Sequence, residues 1–548
     1  QHLPFQHALE LVRKSSIFTT HTPVPAGHDK FSENLMRAYF AHIPEALDIS
    51  WDEFMDLGRV KRTDEKFSVT HLAIKTSVYV NAVSKIHQDV TREMFKDLYR
   101  GFFNSELFID YVTNAVHPKT WMCGDWQKAF LSVAGNEFFE HMHENHDYWK
   151  FIDKLKPLSI WKLKTYQKHE LYDKLVERLA KEMPQRQELP NQIIHTLEEL
   201  NKTPEILTIG FARRFATYKR AHLIFIDLKR LASIVNNPQY PVRFIFSGKA
   251  HPSDKAGEDL IKRIIEVSRM PEFIGKIIFV ENYDTELAKL LLKGVDVWLN
   301  TPTRPLEASG TSGMKAVMNG TLNFSVLDGW WAEGYVPGGG WALRQENTYD
   351  DPNLQDQLDA EMIYSTIEDE IVPSFYERDI EGVPQKWIEM IKNAYFHIAP
   401  HFITKRMLLE YDNKFYKQLF EYYKTLSDND YQNLFKFISW KRKIYRNWDE
   451  IKLENIEMFD SSKRHLPLGD KFYVKLLLDL KELKPDDVII ELIFGKKEEG
   501  RIVDIEFAKT FDFVGCEGSK SKYECTIPME QSGVYNFSIR LRPQHPLL

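Results

Sequence analysis

Ile206-Leu207-Thr208-Ile209-Gly210, then "FARRFATYKRAHLIFIDLKRLASIV" to residue 235, then Val242-Arg243-Phe244-Ile245-Phe246-Ser247-Gly248, is the stretch that decides the fold. A short apolar run reads as a strand, and "ATYKRAHLIFIDLKRLASIV" after it reads as a helix leading to a second strand. The cycle repeats twice. "DKAGEDLIKRIIEVSRM" (254–270) is a helix and Lys276–Val280 a strand; "DTELAKLLLKG" (284–294) is a helix and Val295–Leu299 a strand. Strands alternating with helices at this spacing predict βαβ units and a parallel sheet. In such sheets ligands gather outside the carboxyl ends of the strands.

Upstream, residues 125–200 are helical and heavily charged, with apolar positions at helical spacing in "WKLKTYQKHELYDKLVERLAKEM" (161–183). The first 115 residues are mixed. Phe5–Arg13 reads as the end of a helix and Ser16–Thr20 as a short β run. Pro23, Pro25 and Gly27 break the chain, 32–55 looks helical, and "SVYVNAVSKIH" (77–87) is a turn feeding a helix. Downstream, 355–445 is helical again, and "GYVPGGGW" (334–341) reads as a mobile loop. From 452 short alternating runs take over: Phe472–Leu478, "DVIIELIFG" (487–495), "SKYECTI" (521–527) and "GVYNFSIRLR" (533–542). These predict a small all-β, sandwich-like domain.

The chain has 548 residues, enough for several domains, and a net charge of −7 with no basic block. A nucleic-acid partner is not expected. Three cysteines, Cys123, Cys516 and Cys525, form no CxxC pair and no zinc spacing, which fits a reducing, cytoplasmic compartment. No apolar run is long enough for a bilayer span. The start at Gln1, without an initiator Met, leads us to expect a fragment or a processed chain.

Two segments carry chemistry. In Glu307-Ala308-Ser309-Gly310-Thr311-Ser312-Gly313-Met314-Lys315, two glycines and small hydroxyl residues free backbone N–H groups before a helical run, with a lysine one turn on. The spacing is not that of a Walker A loop. From composition alone it is equally an anion cradle or a glycine-rich turn with a surface lysine. In Gly210–Arg220, Arg213 and Arg214, then Lys219 and Arg220, form two cationic pairs. Placed at the start of a helix they oppose its dipole, a cost that a bound anion relieves; the other reading is a solvated basic helix start.

Together these segments resemble the glucan phosphorylase family. "FTTHTPVPAGHD" (18–29), "VNAVSKIH" (80–87), "TNAVHPKTW" (113–121), "FARRFATYKR", "FSGKAHP" (246–252), "VENYDTELA" (280–288) and "EASGTSGMK" follow in the family's order over roughly residues 1–440. The resemblance implies an α/β architecture of GT-B type. Residues 1–115 would be the last part of a first Rossmann-like lobe whose beginning is missing. Residues 116–440 would form the second, cofactor-binding lobe, and 450–548 the β domain. It implies pyridoxal 5'-phosphate held on Lys315, with Gly310, Thr311, Ser312 and Arg213 around the cofactor phosphate. Arg214 and Lys219 would hold the substrate phosphate with Tyr218 beside them. Glu307, Ser309 and Gly310 would contact sugar hydroxyls, and His21 and Asn114 would line the glucosyl site. The implied reaction is reversible phosphorolysis of an α-1,4-glucan by inorganic phosphate to α-glucose 1-phosphate, with retention of configuration; self-association is left open.

Two positions depart from the family pattern. Asp284 stands where an arginine is expected after "ENY", removing one cofactor-phosphate contact, and Ala216 stands where a histidine is expected. Lys249 or Arg304 is a candidate to replace the lost charge. Two rival readings are a nucleotide-sugar glucan synthase of the same fold, which needs no lysine at 315, and a catalytically silent glucan-binding protein. His141, His143 and His146 do not share one helix face, and no metal is assigned to them. Trp330 and Trp331 are either a sugar-stacking wall or core packing.

Overall fold

The computed structural model describes residues 3–548 apart from 62, 65, 100, 145, 203–204, 344–348, 459–468, 470, 499–500 and 529–535. Near the N-terminus a three-stranded parallel sheet runs β1 (Ile17–Thr19), β2 (Tyr79–Ala82), β3 (Ile109–Tyr111) in that spatial order. "SVYVNAVSKIH" is therefore a strand and the start of a helix, Lys85–Phe95, whose N-cap Ser84 accepts the His87 N–H. The helical reading of 32–55 becomes three short helices, Glu33–Phe40, Ile43–Leu47 and Trp51–Asp56.

The 29-residue helix α1 (Pro157–Gln185) leads into the second sheet. Its strands are β4 (Leu207–Ala212), β5 (Val242–Ser247), β6 (Ile277–Val280), β7 (Val297–Asn300), β8 (Leu322–Val326) and β9 (Gly340–Leu343). They are all parallel, in the order β9-β8-β7-β4-β5-β6. Helices α2 (Leu228–Val235), α3 (Lys255–Ser268), α4 (Thr285–Gly294) and α5 (Thr311–Val317) make the crossovers. Every residue of these strands is buried, as expected of a parallel sheet covered on both faces.

Two expectations are corrected here. Residues 216–227 are not helical: two 3₁₀ turns, Thr217–Lys219 and Leu223–Phe225, precede α2, and Arg220 sits at φ +48°. The apolar spacing in "AHLIF" is real, but Leu223, Ile224 and Phe225 reach the core from a turn. The loop expected over 334–341 ends as strand β9, paired to β8 from Asn323↔Gly340 onward, with Trp341 only 5% exposed. The glycines shape the approach to that edge strand.

Helices fill 352–447. Beyond them come two antiparallel sheets. One is β10 (Lys452–Met458), β11 (Lys471–Asp479), β15 (Lys520–Pro528), β14 (Asp512–Glu517); the other is β13 (Arg501–Thr510), β12 (Val488–Glu498), β16 (Asn536–Pro543). The start of the expected last strand, 533–535, lies outside the described residues. Inward-facing Val474, Leu476, Leu492, Phe494, Tyr523 and Cys525 make one core between the sheets. Arg540 clamps this unit to the N-terminal region, donating to both carboxylate oxygens of Glu106 at 2.6 Å and to Glu491 at 2.8 Å. No helix among the described residues is long and apolar enough to cross a membrane.

Candidate active site

In the second sheet β4 is central, and the chain goes next to β5 on one side and later to β7 on the other. The crevice between the ends of β4 and β7 is where such a sheet takes its ligand. Past β4 the chain stays paired with the chain past β5: Arg213 N–H donates to Ser247 O at 3.1 Å and Phe215 N–H to Lys249 O at 2.9 Å. The Arg213 guanidinium crosses the crevice to Asn300, the last residue of β7, and donates to Glu307 Oε2 at 2.8 Å. The turn at Thr217–Lys219 brings Lys219 back to the same carboxylate oxygen. Lys219 and Glu307 are each 7% exposed.

This is one buried carboxylate shared by two cations. Burial works against ionised Glu307, but Arg213 and Lys219 overrule it and hold its pKa below the usual carboxylate value. Lys219 is pushed below an ordinary lysine first by burial, then by the positive charge of Arg213, while Glu307 pulls the other way. Its ammonium also lies 4.5 Å from the centre of the Tyr218 ring. Both cations bond Oε2 of Glu307, and no hydrogen bond to its Oε1 is seen among the described residues.

The loop after β7 is fastened from β8. Asp328 Oδ2 accepts the Glu307 N–H and Oδ1 the Gly329 N–H, both at 2.8 Å, and Trp330 N–H donates to Ser309 O at 2.8 Å. Gly329 has φ +52°, and a Cβ there would lie 2.5 Å from Ser309 O, so the two loops approach this closely only over glycine. Gly310, at φ +84°, caps α5 in the left-handed region. The N–H groups of Thr311 and Ser312 then open the helix without intrahelical acceptors. A cleft of about 300 Å³ lies over these groups, lined by His21 and Pro23 from beyond β1 and by Arg213, Arg214, Tyr218, Tyr283 and Glu307 through Ser312 from the second sheet.

The structure thus gathers His21, Arg213, Arg214, Tyr218, Glu307, Ser309, Gly310, Thr311 and Ser312 around one cleft, with Lys219 beneath it. Arg220 is not part of it: its guanidinium is locked on Thr301 O, Pro302 O, Asp356 and Asp359. The cations do not oppose a helix dipole, as expected from sequence, since 213–220 is no helix; they converge because the backbone turns twice. Asn114 is not among the cleft's lining residues. Its N–H donates to Val83 O, and its carbonyl accepts from Arg406, beside Thr113, whose hydroxyl donates to Glu333 at 2.7 Å. Lys249 and Arg304 do not line the cleft either.

Asp284 has acquired another task. It is the N-cap of α4, accepting the Leu287 N–H at 2.8 Å. Trp330 and Trp331 are 1% and 0% exposed and pack on Phe402 and on each other, so they are core and not a stacking wall. His146 packs on Phe396 and His401, and among the described residues no His, Cys, Asp and Glu gather as a metal would require.

Lys315 lies one turn along α5 from Thr311 and is not among the cleft's lining residues. Its ammonium is 3.7 Å from the centre of the Trp121 ring, and burial lowers its pKa. A wider cleft of about 770 Å³ lies along Trp121, between α1 and α4. The donor set fits pyridoxal phosphate: an amine whose pKa burial lowers stands on the same short helix whose first turn offers amides and hydroxyls to a phosphate, and Arg213 and Arg214 from the segment after β4 line the same cleft. Trp121, Tyr283, Asn300 and Asp328 were not singled out from sequence. A polar residue ending the buried run "VWLN", and an aspartate before glycine after a buried strand, were the available signs.

Asp328 is 1% exposed, and burial raises its pKa to about 7. A carboxyl whose folded pKa lies above its unfolded value binds more protons when folded, so stability falls as pH rises from about 4 to about 7. Asp328→Asn should flatten that part of a curve of thermal midpoint against pH. An unchanged slope would show that Asp328 does not titrate there.

Residues 1–333 match the family model for carbohydrate phosphorylase, and residues 448–548 the model for the glycogen phosphorylase C-terminal domain. The chain is 41% identical over 502 residues to maltodextrin phosphorylase of Thermococcus litoralis, covering 92% of this chain and 57% of that protein. It is 41% identical over 418 residues to glycogen phosphorylase of Aquifex aeolicus, covering 76% and 59%. With glycogen phosphorylase of Mycobacterium tuberculosis the identity is 31% over 558 residues, covering 100% and 63%. The chain therefore spans roughly 57–63% of the length of these relatives. On the matched segments and on the cleft that they build, the chain belongs to the carbohydrate phosphorylase family.

Proposed function

We propose that this chain carries the catalytic half of a pyridoxal-phosphate-dependent α-glucan phosphorylase of GT-B type, which converts an α-1,4-glucan and inorganic phosphate reversibly into α-glucose 1-phosphate with retained configuration. The observation that carries the reading is the Arg213–Glu307–Lys219 cluster under the Gly310–Ser312 turn, in a cleft shared by both sheets. Arg214 is exposed at the cleft, and Lys219, with three donors and one spent on Glu307, retains capacity for a phosphate oxygen. Lys219, buried away from water, offsets the charge of an incoming phosphate far better than it would in water. Oε1 of Glu307 and Ser309 Oγ, which lacks a hydrogen-bond partner among the described residues, would hold sugar hydroxyls. His21 closes the first-lobe side, and burial keeps its imidazole toward the neutral form.

Lys315 would hold the cofactor through its amine, and Gly310–Ser312 with Arg213 its phosphate. When bound, pyridoxal phosphate supplies through that phosphate the acid needed for the leaving glycosidic oxygen. The maltodextrin and glycogen phosphorylase names of the relatives support the glucan assignment, and the three unpaired cysteines are compatible with work in the cytoplasm. A nucleotide-sugar synthase gives Lys315 no task. The test is phosphate-dependent release of glucose 1-phosphate from maltodextrin by a full-length protein carrying this chain. Glucan binding without release would support the silent-binder reading instead.

A further inference from the structure

We propose that Asn319 is a positioning residue for Lys315: its side-chain amide joins the Trp121 and Lys315 carbonyls and so keeps the Trp121 ring against the Lys315 ammonium. The inference rests on the reading of Lys315 as the cofactor lysine. Asn319 follows α5 directly and is 1% exposed. Its Nδ2 donates to Trp121 O at 2.7 Å and to Lys315 O at 2.8 Å, and its Oδ1 accepts the Cys123 N–H at 2.9 Å. Two carbonyls at one end and an N–H at the other fix which way the amide points, and both amide hydrogens are spent. Its own carbonyl accepts Trp126 Nε1 at 2.9 Å and Lys164 Nζ at 3.3 Å. The residue is thereby fixed to the protein's interior from its backbone as well.

Trp121 ends the turn Pro118–Trp121. With its carbonyl and the Cys123 N–H both held by Asn319, the peptide units around Met122 cannot swing, and the direction of the indole follows. An ammonium over an indole face is stabilised in its charged form; burial pulls the other way. The balance sets how much neutral amine is present, the form that attacks an aldehyde. Lys289 of α4 shares the same ring from 5.8 Å. The charged groups that line the cleft beside Trp121 are Lys119, Glu170, Lys174, Glu177, Arg178, Lys181, Glu286, Lys289 and Lys293, and Lys164 bonds the Asn319 carbonyl from the other side.

The test reads the amine itself. The pH midpoint for acetylation of Lys315 by acetic anhydride is followed by peptide mass spectrometry in the unsubstituted protein, Trp121→Leu, Asn319→Ser and the double variant. Each single change should lower the midpoint by about half a pH unit, the size of one such ring contact. The double variant should shift no further than Trp121→Leu alone, since both act through one ring. Thr321→Val removes the hydroxyl that joins Lys164 to the end of α4, two residues from Asn319 and without touching Trp121, and should lower stability while leaving the midpoint in place. Asn319→Thr serves if Asn319→Ser does not fold. An unmoved midpoint in the Asn319 variants, or additive shifts, would overturn the inference. Borohydride fixation of pyridoxal phosphate on unsubstituted Lys315 is scored separately, so a failure of the cofactor reading is distinguishable from a failure of the Asn319 coupling.

Discussion

Glu307→Gln is expected to cost about 3–5 kcal/mol of folding stability, because it leaves two buried cations without their shared counter-charge. The substitution keeps the volume and a hydrogen-bond acceptor, so packing is not the cause. Arg213 cannot shed its proton, whereas Lys219, already depressed by burial and by Arg213, can. A lysine whose folded pKa lies below its unfolded 10.5 binds fewer protons when folded, so stability rises with pH between the two values. Without Glu307 the folded pKa of Lys219 falls further below its value of about 7, so the deficit of Glu307→Gln should shrink as pH rises toward about 7 and stay level above it. Inorganic phosphate should recover part of it by taking the vacated charge position, by about 2.7 kcal/mol at a hundredfold excess over its dissociation constant. Urea midpoints with and without phosphate measure both effects. A variant as stable as the parent, indifferent to phosphate, would show that the cluster's charges are solvated.

Lys219→Met should lower kcat/KM for phosphate by about 10²–10³, the scale of removing one preorganised charge partner from a water-excluded site. It should do so with little loss of stability. Methionine fills the apolar stem's volume, and Glu307 keeps Arg213 at 2.8 Å. The loss should appear in kcat as much as in KM if Lys219 meets charge that develops during transfer, and mainly in KM if it only binds ground-state phosphate. Steady-state kinetics with phosphate as the varied substrate, in the full-length protein, separates these. Undiminished kcat/KM would remove Lys219 from the site.

The parallel sheet was legible because a strand buried on both faces leaves an uninterrupted apolar run, as in "LTIGFA" and "VRFIFS". The Gly310–Lys315 turn was legible because glycines and small hydroxyl residues before a helix have few other uses. What sequence hid was direction. Arg213 and Lys219 look like neighbours along a helix, yet they meet on Glu307 only because the chain turns at 217–219 and bends through Arg220 at a positive φ. Arg220 looks equivalent to Lys219 and is spent instead on Asp356 and Asp359. Asp284 looked like a lost phosphate contact, while its capping role was readable from "DTEL", an aspartate directly before a helix. Trp330, Trp331 and the β9 edge needed three-dimensional context, because an aromatic pair or a glycine run has the same composition inside a core as at a cleft mouth. Asn319 and Trp121 were hidden for the same reason: their partners are nearly two hundred residues apart.

Lys315 is the residue on which the proposed chemistry depends. Borohydride reduction of the cofactor-supplied full-length protein, followed by peptide mass spectrometry, should place a pyridoxyl adduct on Lys315. An unmodified Lys315 in that protein would contradict the phosphorylase reading.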